Sequence, residues 1–164
     1  MTLRIAPLHD WHDRTAFESG VEPLDRYLKT QAGQDIRKRV ASCFVLTDDR
    51  PAPLAFYTLA ATSIALTDLP LSLTKKLPRY PSVPATLMGR LAVDRRFRGR
   101  RYGELMLMDA FGRALRSEIA TYAFVVDAKD DAAARFYTTY QFLPLSGATR
   151  RYFLPMAEIA RLFA

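Results

Sequence analysis

The fold of this 164-residue chain is decided by one stretch, Leu91-Ala92-Val93-Asp94-Arg95-Arg96-Phe97-Arg98-Gly99-Arg100-Arg101-Tyr102-Gly103-Glu104-Leu105. An apolar strand runs into a basic turn, and the turn opens into a helix. Because the first N–H groups of a helix carry partial positive charge, this end of the helix suits a phosphate group. Gly99 and Gly103 let a diphosphate approach the backbone, and neighbouring arginines add full charges. By spacing alone, a hairpin turn with a solvated run of charge is the alternative.

Hydrophobic periodicity predicts the other elements and a single domain over residues 1–164. The pattern indicates strands at about 3–5, 40–47, 54–66, 85–93 and 122–128, helices at about 23–38, 101–117 and 130–140, and then two short strands and a terminal helix. The turn Asp48-Asp49-Arg50-Pro51 favours an antiparallel hairpin. The proline-rich segment 69–84 reads as a loop with one helical turn near Leu73. This order fits an α+β or α/β sheet with helices on both faces.

The charge of the chain points to a polyanionic ligand. Twenty-four Lys and Arg against 17 Asp and Glu give a net charge of +7 and a pI near 9.8. Such a surface attracts polyanions by steering and counterion release. The basic clusters outside the turn are Arg37-Lys38-Arg39, Lys75-Lys76, Arg79, and Arg113 with Arg116. Each cluster alone is also compatible with a solvated face, and no aromatic RNA-binding signature identifies the polyanion as RNA.

Composition excludes several classes of protein. The one cysteine, Cys43, cannot form an internal disulfide and lies in a β-like run, which predicts a buried thiol. No apolar run reaches the roughly 18–20 residues of a membrane span, and the N-terminus lacks a signal-peptide pattern, so we expect a cytoplasmic protein.

Other chemistries find little support. His9 and His12, with Asp10 and Asp13, could bind a metal but read better as a solvated loop, so no metal is expected. Serine-hydrolase and P-loop motifs are absent from the sequence. Three aspartates, Asp127, Asp130 and Asp131, could form paired carboxylates. Their positions instead favour the end of a strand and the cap of the following helix.

The turn resembles the pyrophosphate loop of the GCN5-related N-acetyltransferases, which reads Gln/Arg-x-x-Gly-x-Gly/Ala. The matching positions are Arg98-Gly99-Arg100-Arg101-Tyr102-Gly103. The first and last agree, but Arg101 stands where that family has its first glycine. A Cβ there would crowd the diphosphate if φ were positive. We expect Arg101 to be helical, with its side chain pointing outward.

Three further stretches resemble the acetyltransferase toxins of toxin–antitoxin modules. They are Phe17-Glu18-Ser19-Gly20-Val21-Glu22-Pro23-Leu24-Asp25-Arg26-Tyr27-Leu28; Leu77-Pro78-Arg79-Tyr80-Pro81 with Gly89-Arg90-Leu91-Ala92-Val93-Asp94; and Asp127-Ala128-Lys129 with Ala134-Arg135-Phe136-Tyr137 and Phe142. The resemblance implies a mixed, mostly antiparallel sheet, acetyl-CoA as the donor and the α-amino group of an aminoacyl-tRNA as the acceptor. It also implies a ribbon-helix-helix antitoxin as partner and allows a homodimer.

Acetyl transfer from a thioester to an amine needs no covalent nucleophile and no metal. The resemblance implies that backbone N–H groups near the end of the 85–93 strand polarise the carbonyl and that Tyr137 protonates the departing thiolate; a packing tyrosine is the alternative. The expected acetyl-CoA contacts are Leu91, Ala92, Val93, Arg98, Gly99, Arg100, Arg101, Tyr102, Gly103, Glu104 and Phe136. The expected tRNA contacts are Arg37, Lys38, Arg39, Lys75, Lys76, Arg79 and Arg90. Two other functions stay open: acetylation of a small amine or a protein N-terminus, and a non-catalytic module that binds CoA or RNA.

Overall fold

A computed structural model describes residues 2–164 as a series of strands and helices. The strands are β1 (Arg4–Pro7), β2 (Ser42–Thr47), β3 (Ala55–Ala65), β4 (Ser82–Val93), β5 (Ala123–Asp127), β6 (Leu143–Pro144) and β7 (Arg151–Pro155). The helices are α1 (Glu22–Arg26), α2 (Ala32–Arg37), α3 (Leu71–Thr74), α4 (Tyr102–Arg116), α5 (Asp131–Thr139) and α6 (Met156–Leu162). A π-helical turn (Tyr27–Gln31) joins α1 to α2, and 3₁₀ turns lie at Leu66–Asp68 and Arg95–Phe97.

The strands form a seven-stranded sheet within residues 2–164, in the order β1-β2-β3-β4-β5-β7-β6. The β2–β3 hairpin is antiparallel, with Ser42 opposite Leu59, and β5 pairs antiparallel to β7, with Ala123 opposite Pro155. Strands β1 and β6 add further antiparallel pairs at the two edges. This mixed, mostly antiparallel α+β arrangement confirms the expected fold class.

The chain divides into two compact units, each with its own apolar core. The first covers the chain up to Ala60 together with Met88–Gly112. Its core contains Leu8, Phe17, Tyr27, Leu28, Ala32, Cys43, Val45, Phe56 and Ala92. The second covers Ala61–Leu87 and Arg113–Ala164. Its core contains Ile64, Leu69, Val83, Ala85, Ala123, Val125, Leu145 and Phe153.

The predicted elements all occur, and their bounds differ in places. The first helix runs over about the predicted length but contains the π-helical turn, which periodicity did not reveal. Strand β4 begins at Ser82, three residues before the predicted start. Pro84 obscured this start because proline normally argues against a strand. Proline has no backbone N–H to donate, but the Pro84 carbonyl oxygen still accepts a hydrogen bond from the Tyr122 N–H at 2.8 Å, so the strand tolerates proline here.

The helices of residues 2–164 include none with the length and apolar character that crossing a membrane requires.

Candidate active site

The turn after β4 is built around the buried carboxylate of Asp94, which is 0% exposed. Asp94 accepts hydrogen bonds from the Arg96 backbone N–H at 3.0 Å and from the Arg96 guanidinium at 3.0 and 2.8 Å. Burial alone would raise the pKa of Asp94, but these bonds and one from the Glu18 N–H hold that pKa below its usual value. The carboxylate therefore stays charged and fixes the start of the Arg95–Phe97 turn.

A segment distant in sequence holds this turn from the other side. Residues 18–20, which we call the brace segment, form two hydrogen bonds with it through Glu18. The Glu18 N–H donates to the Asp94 carboxylate at 3.1 Å, and the Arg95 N–H donates to the Glu18 carbonyl at 2.9 Å. The Arg98 guanidinium donates to the Ser19 carbonyl at 2.5 Å. Arg98, which we expected to bind the diphosphate, is thus hydrogen-bonded to the brace segment. This bond holds the loop in position.

Gly20 is the point of closest approach in the brace segment. Its φ is +90°, and a Cβ added there would lie 2.9 Å from the Arg98 guanidinium. The neighbouring Ser19 is anchored by the Asp25 carboxylate, which accepts its N–H at 2.9 Å and its hydroxyl at 2.6 Å. The sequence pattern alone predicts no role for the brace segment or for Asp94. The signal that could have found them is the Ser19-Gly20 pair, since glycine is favoured where φ is positive.

The loop itself corrects one expectation. Arg101 is not helical: its φ is +61°, and α4 begins only at Tyr102. Arg101 separates the exposed Arg100 from Tyr102, which is buried in the first turn of α4. The Arg101 side chain is 86% exposed, and its guanidinium lies 3.8 Å from the Glu104 carboxylate. The backbone at Arg101 therefore has the positive φ that favours glycine, the residue of the family motif at this position, although an arginine occupies it.

The loop offers an anion both backbone donors and open space. The first helical hydrogen bond of α4 runs from the Leu105 N–H to the Arg101 carbonyl, so the N–H groups of residues 102–104 precede it. Gly99 has a φ of +81°, and a Cβ added there would meet nothing within 4 Å. The arginines of the loop are all exposed. This arrangement fits a diphosphate, which several cations and N–H groups can hold together.

The expected contacts on β4 lie directly before this loop. Ala92 is buried, whereas Leu91 and Val93 are half-buried at the end of the strand. Gly103 and Glu104 lie in the first turn of α4 and are also half-buried. The structure thus brings the β4 end and the pyrophosphate loop together as one continuous segment of the first unit.

Tyr137 is a buried tyrosine in the second unit whose hydroxyl has no hydrogen-bond partner among residues 2–164. Helix α5 is capped by Asp130, whose carboxylate accepts the Ala133 N–H at 2.8 Å. Tyr137 is 3% exposed, with its ring centroid 5.3 Å from that of Phe136 and 5.5 Å from that of Phe142. Its hydroxyl forms no hydrogen bond within residues 2–164. Every side-chain nitrogen or oxygen that is fully enclosed in this part of the chain does have a hydrogen-bond partner, so the Tyr137 hydroxyl is not fully enclosed. The hydroxyl is therefore reached by solvent and available to a ligand.

The surroundings of Tyr137 favour its protonated form. Burial raises the pKa of Tyr137 above its usual value, and the negative charge of Asp127 raises it further. Asp127 is itself held by Arg151, whose guanidinium donates to both carboxylate oxygens at 2.7 and 3.1 Å. The Tyr137 phenol is thus protonated at neutral pH. Phe136, the other expected contact on α5, is half-buried against Tyr137 and Tyr140.

The expected tRNA contacts fall into two kinds. Most are exposed and form no ion pair within residues 2–164; these are Arg37, Lys38, Arg39, Lys75, Lys76 and Arg79. Arg90 is different, because it is half-buried and its guanidinium lies 3.6 Å from the centre of the Tyr27 ring. Burial, followed by the hydrogen bond to Asp35, raises the pKa of Tyr27. One face of Arg90 is therefore occupied by an intramolecular contact.

The remaining candidates for chemistry take part in structure. Cys43 is 2% exposed, and burial raises the pKa of its thiol to about 12, which confirms the expected buried thiol. Asp130 caps α5 and Asp127 ends β5, as the strand-end and cap interpretation proposed, and Asp127 also pairs with Arg151. Within residues 2–164 no three His, Cys, Asp or Glu side chains are grouped so that they could hold a metal ion.

Comparison with known proteins identifies relatives over most of the chain. The acetyltransferase (GNAT) family model matches residues 6–142. The tRNA-acetylating toxin of Mycobacterium tuberculosis is 36% identical over 137 residues, which cover 82% of this chain and 81% of that protein. The probable toxin TacT of Sinorhizobium fredii is 30% identical over 161 residues, which cover 92% of this chain and 89% of that protein.

Solved structures match nearly the whole chain. AtaT complexed with acetyl-methionyl-tRNAfMet superposes with a TM-score of 0.88 at 28% identity, covering 99% of this chain and 100% of that one. AtaTR bound with acetyl-CoA gives 0.84 at 28% identity, covering 99% and 98%. A tyrosine-to-phenylalanine mutant of AtaT bound to the C-terminus of the antitoxin AtaR gives 0.81 at 26% identity, covering 99% and 98%. The chain therefore belongs to the acetyltransferase (GNAT) family and is a homologue of its acetyl-CoA-dependent, tRNA-acetylating toxins.

Proposed function

We propose that this chain transfers the acetyl group of acetyl-CoA to the α-amino group of an aminoacyl-tRNA and thereby blocks translation. The observation that carries the chemistry is the unpartnered, solvent-reached hydroxyl of the otherwise buried Tyr137. The tRNA-acetylating relative at 36% identity and the net charge of +7 support the acceptor.

The pyrophosphate loop is the proposed seat of the cofactor's diphosphate. The N–H groups at the start of α4 and the arginines of the loop supply donors, and the open space beside Gly99 lets the ligand approach. Bound acetyl-CoA supplies a thioester whose carbonyl carbon is open to attack by an amine. Backbone N–H groups at the end of β4, over Leu91, Ala92 and Val93, polarise the carbonyl oxygen.

Little base catalysis is required of the protein. An α-amino group has a pKa of about 7.7–8.0, so a substantial fraction is neutral near physiological pH. The amine nitrogen forms a bond to the carbonyl carbon, the carbon–sulfur bond breaks, and Tyr137 donates its proton to the sulfur. The nitrogen loses a proton to water, and the phenolate regains one. The proton gained by the thiolate is thereby balanced by the proton lost from the ammonium.

The exposed basic residues are the proposed RNA contacts. Arg37, Lys38 and Arg39 follow one another at the end of α2, and Lys75, Lys76 and Arg79 lie in the loop after α3. Contacts to phosphate oxygens fix the position of RNA on a protein and make binding depend steeply on salt. Activity on tRNA should consequently fall with added salt more than acetyl-CoA affinity does.

We also infer the domain organisation, the partners and the location of the protein. We propose that residues 1–164 act as one domain, since the matching family model spans parts of both compact units. An antitoxin of ribbon-helix-helix type and a homodimer follow from the toxin resemblance, and AtaT bound to the C-terminus of AtaR supports an antitoxin. A cytoplasmic location follows from the substrate. Co-purification with the product of an adjacent reading frame and sedimentation of the isolated chain would test partner and assembly.

Incubation with labelled acetyl-CoA and total charged tRNA tests the function directly. We expect label to enter charged tRNA and to stay on the amino acid when the ester bond is hydrolysed. Parallel reactions with polyamines, free amino acids and an N-terminal peptide cover the acetyltransferase alternative. Equal labelling of those amines would refute the tRNA proposal, and acetyl-CoA binding without any transfer would indicate a non-catalytic module.

A further inference from the structure

An exposed tryptophan stands on a stack of histidines in the loop after β1. Trp11 is 63% exposed. Its ring lies 3.9 Å, centroid to centroid, from that of His12 and 6.1 Å from that of His9, at interplanar angles of 29° and 10°. His12 is buried, and its Nδ1 accepts the His9 N–H at 2.9 Å, which fixes the stack. We call Trp11, His9 and His12 the aromatic platform.

Two arginines converge beside the platform. A groove of about 110 Å³ is lined by Leu8, His9, Asp10, Arg14, Gly33, Ile36 and Arg37. A Cβ added at Gly33 would lie 3.3 Å from the Arg37 guanidinium and 3.9 Å from that of Arg14, so both groups lie over this glycine. Arg14 is held there by a hydrogen bond to the Leu28 carbonyl at 3.1 Å. Neither arginine forms an ion pair within residues 2–164. His9 belongs to both features and joins them.

We propose that the aromatic platform and this arginine pair form an accessory RNA site, in which an unpaired base of the tRNA stacks on Trp11 and a phosphate lies against Arg14 and Arg37. The inference rests on the proposed function and names residues that position its substrate. A flat exposed ring accepts any base, and two converging guanidinium groups match the oxygens of a phosphate. The groove is small, which suits one phosphate group and not a peptide helix.

The other ionisable groups around the groove determine how strongly it attracts a phosphate. The groove contains one acidic residue, Asp10, which opposes an anion. The pKa of His12 is lowered, mainly by burial, so the ring beneath Trp11 is neutral near pH 7 and contributes packing instead of charge. The attraction for phosphate accordingly comes from Arg14 and Arg37. Removing the negative charge with Asp10→Asn should strengthen RNA binding.

Trp11 is the only tryptophan of the chain, so its fluorescence reports on this site alone. We expect uncharged tRNA to quench Trp11 emission and to protect it from acrylamide, with free N-acetyltryptophanamide as the correction for absorbance. Base–aromatic stacking is worth about 1–3 kcal/mol by alanine substitution, so Trp11→Ala should weaken tRNA binding about 5- to 150-fold. Arg37→Gln should weaken it and reduce the slope of affinity against salt.

Matched variants separate this site from general effects. Phe163→Ala removes another exposed aromatic ring and Arg161→Gln another exposed cation, both at α6, and neither should change tRNA affinity comparably. The acetyl-CoA dissociation constant of Trp11→Ala should equal that of the unmodified chain, and melting curves check that each variant folds.

The outcomes distinguish the two proposals. If charged tRNA is acetylated but Trp11 emission and Trp11→Ala affinity do not respond to tRNA, the accessory site is wrong and the proposed function stands. A Trp11 response to an antitoxin peptide and none to tRNA would also overturn the site, in favour of a protein interface. If charged tRNA is not acetylated, the proposed function itself fails, whatever Trp11 reports.

Discussion

The loop at residues 95–103 and the helix α5 contribute to the same proposed reaction but treat their polar groups in opposite ways. Asp94, directly before the loop, and Arg96 and Arg98 within it are hydrogen-bonded to each other or to the brace segment. On α5, Tyr137 is enclosed by aromatic rings and its hydroxyl has no partner within residues 2–164. A binding surface for a polyanion gains from rigid placement of several charges, whereas a proton donor gains from an unoccupied hydrogen bond.

This contrast predicts which measured property each substitution should change. Changes in the loop and its brace should appear in stability and acetyl-CoA affinity together, because the same bonds support both. A change confined to the Tyr137 hydroxyl should appear in the rate alone. The following variants test that division.

Tyr137→Phe should have the largest effect. It removes a hydroxyl that has no hydrogen-bond partner in the described part of the chain, residues 2–164, and it keeps the ring packed against Phe136 and Phe142. Folding and acetyl-CoA affinity should therefore be preserved. Loss of a general acid typically lowers the rate 10²- to 10⁴-fold, or about 3–5 kcal/mol of barrier. Single-turnover acetyl transfer and thermal melting measure both quantities, with Tyr140→Phe, at the C-terminal cap of the same helix, as the control. Near-normal turnover with reduced stability would make Tyr137 a packing residue.

The raised pKa of Tyr137 makes the same assignment testable by pH. Since the protonated form is the donor and its pKa lies above the usual value near 10, the turnover number should not decline on the alkaline side below about pH 10. A decline centred near pH 8 or 9 in the unmodified chain, absent from Tyr137→Phe, would show that the hydroxyl titrates lower than its surroundings imply.

Asp94→Asn should have the next largest effect. The amide keeps the shape but loses the charge that four hydrogen bonds share. Bonds to a charged group are each worth about 1.5–3 kcal/mol, and we expect a loss of about that size in unfolding free energy, with weaker acetyl-CoA binding. Because the pKa of Asp94 is depressed in the folded chain, its stabilisation is present above the unfolded value near 3.9 and disappears as the pH falls below it.

Asp48→Asn is the matched control for Asp94→Asn. Asp48 binds the backbone N–H and guanidinium of Arg50, two residues later, in the pattern that Asp94 uses with Arg96. It has no contact with the brace segment among its hydrogen bonds. Denaturant unfolding and calorimetry should show a smaller loss of stability and unchanged acetyl-CoA affinity. Equal loss of affinity in the two variants would separate the brace from cofactor binding.

Gly20→Ala should act through the brace at a smaller magnitude. A Cβ at a φ of +90° costs about 1–2 kcal/mol, and at 2.9 Å it displaces the Arg98 guanidinium. We expect reduced stability and several-fold weaker acetyl-CoA binding. Gly147→Ala has a comparable φ of +81° and a Cβ 3.1 Å from the Asp68 carboxylate, so it should reduce stability alone. Unchanged cofactor affinity for Gly20→Ala would mean that Arg98 needs no bracing.

Sequence reasoning succeeded where the pattern is local. The amphipathic helix α4 and the strand before it follow from periodicity, and the position of Tyr137 on α5 follows from a motif of neighbouring residues. It could not supply the brace, because Glu18 and Asp94 are 76 residues apart and no periodicity links them. The helical conformation expected for Arg101 is wrong, because arginine is an ordinary helix former and does not by itself indicate the positive φ that this position adopts.

Arg101→Gly sharpens that last point and should have the smallest effect. At a φ of +61° an arginine is strained and a glycine is not, so the substitution should raise the unfolding free energy, by about 1 kcal/mol. The only ion pair lost within residues 2–164 is the weak 3.8 Å contact with Glu104. Arg100→Gly removes the same charge one residue earlier, where φ is not positive, and should lower stability by about 0.5–1 kcal/mol through chain entropy. Urea unfolding of the two variants should therefore shift in opposite directions. A shift of the same sign in both would show that the left-handed turn is not what distinguishes position 101.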